Sequence, residues 1–227
     1  MIYTGENALH WKKLRNKSIV LAAVSLGLSI LVHPFFLFVT IVAIIFARYC
    51  TNKFDRWATG FEGEYLVIEE FSKINCLTGV LLSDLILPNM HSNIDHVLIC
   101  DRGIFALETK TYSGIYYAEG DKWYYKTKYG EIMPIKSLSR LAKRNAAILS
   151  KFLERKYGEH YFITPIVVFA GPTIFEGKST IPVLFPSQIK FYLCALPRTL
   201  SNKDIARLSD LLIKYSRHVM EVGTNAS

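Results

Sequence analysis

Acidic residues are scarce in this chain: 19 Asp and Glu stand against 27 Lys and Arg, a net charge of +8 over 227 residues. That imbalance suits an anionic partner, either nucleic acid or anionic lipid. Cysteine is scarcer still. Cys50, Cys76, Cys100 and Cys194 stand far apart with no Cys-x-x-Cys. This excludes zinc-site spacing and a dense disulfide framework, and it favours a reducing compartment. The six histidines (His10, His33, His91, His96, His160, His218) form no ligand spacing. There is no P-loop, no GxGxxG, no Ser-His-Asp set, no repeat and no low-complexity tract. Charge of either sign is absent from 18–47, a run of 30 residues. A soluble globule has no use for such a run, so it predicts membrane attachment. Hydrophobic residues make up 51% of the whole and charged ones 20%, which excludes disorder as the dominant state.

The run is not a cleaved signal. Seventeen residues precede it, it is too long, and it ends Ala47-Arg48-Tyr49-Cys50, where Tyr49 also spoils a lipoprotein signal. Two geometries fit. A single tilted helix of this length would reach about 45 Å across a hydrocarbon core of roughly 30 Å. A hairpin broken at His33-Pro34 would place Pro34 at the first position of a second helix. Lys12, Lys13, Arg15 and Lys17 precede the run and Arg48, Lys53 and Arg56 follow it, which suits two cytoplasmic ends. The expected organisation is a basic segment 1–17, a membrane segment 18–50, an α/β domain 58–200 and a C-terminal helix 201–227.

Within the soluble part, Phe61, Tyr65, Ile68 and Phe71 recur at helical spacing over 58–75. Strands are expected over 80–87, 94–100 and 104–110, the last two joined by Asp101-Arg102-Gly103. Both carry apolar residues on both faces, as central covered strands do. A more exposed hairpin follows at 114–126, then a helix over 137–157, a buried strand over 162–170, a short strand near 182–185 and a final helix over 202–220.

Three charges sit inside this apolar pattern. Asp95 opens one central strand; Glu108 and Lys110 close the next and share a face. If Asp101-Arg102 is a two-residue loop, paired positions sum to 203 and Asp95 faces Glu108 at ~5 Å between Cβ atoms. Two carboxylates so placed repel unless a proton or cation lies between them, and Mg²⁺ takes one or two carboxylates plus waters and phosphate oxygens. A three-residue loop ending at Gly103 would shift the register by one. Glu64 lies on the apolar stripe of the first helix, and Gly60 and Gly63 would let that helix approach the sheet. Singly, each of these charges is as well explained by a structural ion pair; their coincidence points to a site.

These residues resemble the NERD (nuclease-related) domain, a branch of the PD-(D/E)xK nucleases. The likeness rests on Gly60-Phe61-Glu62-Gly63-Glu64, Leu82-Ser83-Asp84-Leu85-Ile86-Leu87-Pro88, Ile94-Asp95-His96-Val97-Leu98-Ile99 and Gly103-Ile104-Phe105-Ala106-Leu107-Glu108-Thr109-Lys110, with Gly114 after it. It implies a central mixed sheet flanked by helices in the order α-β-β-β-α-β. It also implies Asp95 and Glu108 as ligands for Mg²⁺ or Mn²⁺, Lys110 as the catalytic lysine and Glu64 as the acid completing the site. One departure is visible: family members often carry Gln four residues before the position matching Asn145, and here that place holds Leu141.

Between 122 and 156 there are ten Lys and Arg and two acids, a net of +8 that equals the charge of the whole chain. Tyr116, Tyr117, Trp123, Tyr124, Tyr125 and Tyr129 lie in or just before this stretch. Basic residues interleaved with aromatics suit a phosphate backbone and stacked bases, which nominates Trp123, Lys136, Arg140, Lys143, Arg144 and Lys151 for nucleic-acid binding. An exposed face lying on anionic lipid is the competing reading. The function expected is a membrane-anchored, metal-dependent nuclease acting on DNA from the cytoplasmic side. The alternative is an inactive membrane-tethered nucleic-acid-binding or interaction module.

Overall fold

Apolar residues at helical spacing before position 75, and apolar strands after it, call for two kinds of packing. A computed structural model contains both. The structure describes residues 2–31, 35–88, 90 and 92–223. Its contacts divide into two units, Met1–Glu62 and Gly63–Ser227.

The first unit holds α1 (Ile2–Leu31) and most of α2 (Phe35–Ser72). Ser25 Oγ lies 2.9 Å from Thr40 Oγ1, the Trp11 and Tyr49 rings meet edge to face at 5.7 Å, and Arg15 lies over the Phe54 ring. Residues early in α1 thus meet residues late in α2, so the two helices are antiparallel. The described parts of the apolar run, 18–31 and 35–47, thus lie on two antiparallel helices, as in the hairpin alternative; the His33-Pro34 break of that alternative lies outside the described residues. Of the described helices, one, Phe36–Ser72, is long and apolar enough to cross a membrane.

The second unit is mixed α/β, as expected. A six-stranded sheet has the order β10 (His218–Val222), β1 (Gly79–Leu85), β2 (Ile94–Cys100), β3 (Gly103–Lys110), β7 (Ile163–Phe169) and β9 (Val183–Leu184). Its first four strands are antiparallel, and β3–β7 and β7–β9 are parallel. One face is covered by Val67 and Phe71 of α2 and by Ile189 and Leu193 of α4 (Pro186–Cys194). The other is covered by Ala146, Leu149 and Leu153 of α3 (Leu138–Tyr157) and by Ile205, Leu208 and Leu212 of α5 (Asn202–Leu212). Cover on both faces explains the unbroken apolar strands. A second sheet, β6 (Ile132–Ile135), β5 (Lys122–Lys126), β4 (Gly114–Gly120) and β8 (Thr173–Ser179), packs Trp123 and Phe175 against Phe169.

Three features depart from the expectations. The helix expected over 202–220 ends at Leu212, and after a turn at Ile213–Tyr215 the chain becomes β10, paired with β1. The reason is local: Ser216 is extended, its single Oγ–H is shared between Ser83 O and His218 O, and Arg217 N donates to Ser83 O. β1 would otherwise be an edge strand with an open ladder. Strands β6 and β8 and helix α4 lie where no element was expected. Finally, Cys76 and Cys194 form a disulfide with a Cα–Cα distance of 5.8 Å. Cysteine spacing did not indicate this pair, whose members are 118 residues apart.

The closing strand should matter for stability. Val222 is 1% exposed and Val219 is 47% exposed. Val222→Ala is expected to cost about 2 kcal/mol in urea unfolding, and Val219→Ala close to nothing.

Candidate active site

The turn between β2 and β3 decides the site. Cys100 pairs with Gly103, Ile99 with Ile104, Val97 with Ala106 and His96 with Leu107. Asp101-Arg102 is therefore a two-residue loop, Gly103 takes φ +128, and paired positions sum to 203. The three-residue alternative is excluded, and the next position along the register sets Asp95 opposite Glu108.

Each charge is then held from a different direction. Asp95 Oδ2 accepts from the Thr109 backbone N–H at 2.8 Å. Glu108 Oε1 accepts from Lys110 Nζ at 2.5 Å, and its Oε2 accepts from Asn145 Nδ2 of α3 at 3.0 Å. Glu64 arrives from α2, whose close approach depends on Gly63: a Cβ there would lie 1.9 Å from Thr111 Cγ2. Gly60 has open space around it and plays no such part.

Too much negative charge gathers here for one lysine. Burial, and then the Asp84 carboxylate, push Glu64 from the ordinary 4.5 up to about 7. Burial and the Glu108 carboxylate raise Asp95 well above the usual carboxylate range. For Lys110, burial pulls the ammonium down, but Asp95 and Glu108 outweigh it and hold it raised. Without another cation, the cluster relieves its charge by keeping protons.

The family model described as nuclease-related domain matches residues 59–170. Residues 59–170 belong to that family. No curated protein and no solved structure matches the chain significantly.

Within the nuclease-related domain, Asp95, Glu108, Lys110 and Glu64 come together at one end of the main sheet. Two residues join them that sequence reasoning had not placed. Asn145, 3% exposed, orients Glu108, and its Oδ1 has no hydrogen-bond partner among the described residues. Asp84, 4% exposed, takes φ +54 at the β1 position that the register sets opposite Asp95, and it accepts from Asn93 Nδ2 at 2.7 Å. A buried acid inside an apolar strand was the available signal for Asp84. For Asn145 it was a lone amide among the apolar positions of an amphipathic helix. Leu141, one turn earlier, is half-buried, and Glu108 receives its amide from Asn145.

The residues fit a hard divalent cation. Asp95 and Glu108 offer carboxylate oxygens, Asn145 Oδ1 is an orphaned buried acceptor beside them, and Mg²⁺ needs only one or two carboxylates with waters. Among the described residues no group of three or more His, Cys, Asp or Glu side chains could by itself hold a metal ion.

The nucleic-acid candidates separate. Lys136, Arg140, Arg144 and Lys151 are exposed. Arg140, Arg144 and Lys151 fall within about 40° of one another around α3, a single cationic stripe. Lys143 is turned to Asp121, with both carboxylate oxygens at 3.1 Å from Nζ. Trp123 is a correction: it is 2% exposed, donates from Nε1 to Ser139 Oγ at 3.0 Å and packs on Phe169 and Phe175. It is a core residue of the second sheet and cannot stack on a base.

The raised Glu64 has a consequence for stability. Between pH 4.5 and 7 the folded chain keeps a proton there that the unfolded chain has lost, so metal-free stability falls as pH rises through this window. In EDTA, Glu64→Gln should therefore stabilise at pH 8, by at most about 3 kcal/mol, and do nothing at pH 4. Denaturant titrations at both pH values measure this.

Proposed function

We propose that this chain is a membrane-anchored nuclease that hydrolyses phosphodiester bonds in DNA with a divalent metal, Mg²⁺ or Mn²⁺. The observation that carries the reading is the convergence of Asp95, Glu108 and Lys110, with Asn145 Oδ1 left free beside Glu108. A cation bound there would supply Lewis acidity and an activated water. The chain's own residues do the rest. Thr109 N–H and the Asn145 amide hold the two carboxylates in place, so that little reorganisation is needed during reaction. The Lys110 ammonium, kept charged by its neighbours, faces the negative charge that develops on the phosphoryl oxygens. Glu64 completes the acid set from the opposite helix. Arg140, Arg144 and Lys151 track the phosphate backbone, and Arg144 adjoins Asn145 in sequence, which brings that backbone towards the carboxylates.

Anchoring is supported by the uncharged run and by the apolar helix Phe36–Ser72. Orientation is set at insertion by flanking Lys and Arg, and these favour a cytoplasmic domain. The Cys76–Cys194 pair lies at the other end of the main sheet, tied to the Asp101-Arg102 turn through Arg102 Nη2 and Cys76 O, so the site does not depend on its redox state.

The test is cleavage of plasmid and linear DNA by the detergent-solubilised chain with Mg²⁺, Mn²⁺ or EDTA. Asp95→Ala and Glu108→Ala should fall to background. Lys110→Ala should lose about 10²–10³ in rate and Asn145→Ala about 10–100-fold. An unmodified chain that is inert with every divalent metal, or an Asp95→Ala chain that cleaves normally, overturns the proposal. Binding offers a separate check. Replacing Arg140, Arg144 and Lys151 together with Ala should flatten the slope of log K against log salt by roughly 2–3 units on duplex DNA. Loss of anionic-vesicle binding with DNA affinity unchanged would assign the stripe to lipid instead.

A further inference from the structure

The N-terminal hairpin is built inside out. Its buried positions are small or polar: Ser18, Ser25, Thr40, Ala43 and Cys50. Its exposed positions are large and apolar, with Val20 at 62%, Phe38 at 65% and Ile45 at 64%. Water selects the reverse arrangement. Lipid selects this one, because helices in hydrocarbon gain nothing by hiding large side chains from each other and associate through small residues and interhelical hydrogen bonds. The Ser25–Thr40 bond is such a contact.

The hairpin is also short. The uncharged part of α1 is 18–31, 14 residues, and that of α2 is 35–47, 13 residues. At about 1.5 Å per residue each arm reaches ~20 Å, past the middle of a roughly 30 Å hydrocarbon core but well short of its far side. A hairpin that crossed twice would have to place its turn among the far headgroups. Between Lys17 and Arg48 the sequence holds no charged residue to stand there.

All the charge is at the base. Lys12, Lys13 and Lys17 of α1 and Arg48 of α2 are exposed, and no acid occurs between Glu6 and Asp55. Trp11 and Tyr49, in contact at 5.7 Å, occupy the same end, as interfacial aromatics do.

We infer that α1 and the first part of α2 form a re-entrant hairpin. Its cationic base sits on anionic headgroups of one leaflet, and the arm ends at Leu31 and Phe35 lie inside the hydrocarbon without reaching the opposite face. This rests on the membrane reading above and adds depth and sidedness to it. A device of this kind keeps both chain ends on one side and leaves the other face of the bilayer untouched.

The experiment uses the full chain in vesicles of phosphatidylcholine and phosphatidylglycerol. Single-cysteine reporters are placed near the tip by Ser29→Cys and Leu37→Cys, and the parent chain with its buried Cys50 and Cys100 sets the background. Tags at Met1 and after Ser227 report sidedness. Four results are expected. The protein stays with the vesicles through alkaline carbonate, both tags are digested from the same side, and a membrane-impermeant maleimide labels neither tip cysteine from outside or from the lumen until detergent is added. Fluorophores attached at those cysteines in detergent should, after reconstitution, be quenched most by nitroxides in mid-chain lipid positions. Tip labelling from the side opposite the tags overturns the re-entrant geometry in favour of a double span, and tags on opposite sides overturn it in favour of a single span. Release of the parent chain by carbonate overturns the membrane reading itself.

Discussion

Two carboxylates placed across a pair of neighbouring strands repel each other, and much of the second unit can be understood as the answer to that repulsion. The Asp101-Arg102 turn imposes the juxtaposition of Asp95 and Glu108. Three donors compensate the pair, although Asp84 and Glu64 add further negative charge beside it. A backbone N–H from Thr109 meets Asp95, an amide from α3 meets Glu108, and an ammonium two residues along the same strand meets Glu108 from the other side. The turn itself is anchored away from the site. Asp101 O accepts from Thr199 N and Leu200 N, and Arg102 reaches the carbonyls of Leu196 and Cys76. The register is thus secured at one end of the sheet and its electrostatic consequence is expressed at the other.

The sequence was legible where a pattern repeats. Apolar residues on both faces of 94–100 and 104–110 gave away the central strands, and the spacing of Asp95, Glu108 and Lys110 gave away the cluster. It was less legible where one contact decides. Residues 213–220 carry enough apolar side chains to continue a helix, and the switch to β10 depends on Ser216 and Arg217 reaching Ser83, which lies more than 130 positions earlier. Trp123 was misread because Lys122 and Lys126 flank it. Strand alternation sends those lysines outward and Trp123 and Tyr125 inward, so neighbours in sequence belong to opposite faces. Asn145 and Asp84 were missed as members of the site because a single polar residue in an apolar pattern has many structural explanations. The Cys76–Cys194 pair joins positions 118 residues apart, which spacing cannot foretell.

The two units obey opposite solvent rules within one chain. In the second, large apolar side chains such as Phe71, Phe105 and Leu98 are hidden and lysines are displayed. In the first, serine and threonine are hidden and isoleucine and phenylalanine are displayed. A single helix, α2, carries both rules, changing from one to the other between the apolar residues before Arg48 and the acidic face around Glu69 and Glu70. Composition averaged over the chain conceals this change, since a mean hydropathy of +0.22 describes neither part.

Arg144 and Asn145 are consecutive on α3, yet one is in water and the other is buried against Glu108. A helix turns about 100° per residue. The outer face of α3 can therefore drift freely under selection, exchanging one cation for another, while its length is under a quite different constraint. A single residue inserted between Ser137 and Asn145 would rotate the cationic stripe and the Glu108 partner relative to the cap that seats the helix. For this element, substitution is cheap and a change of length is not.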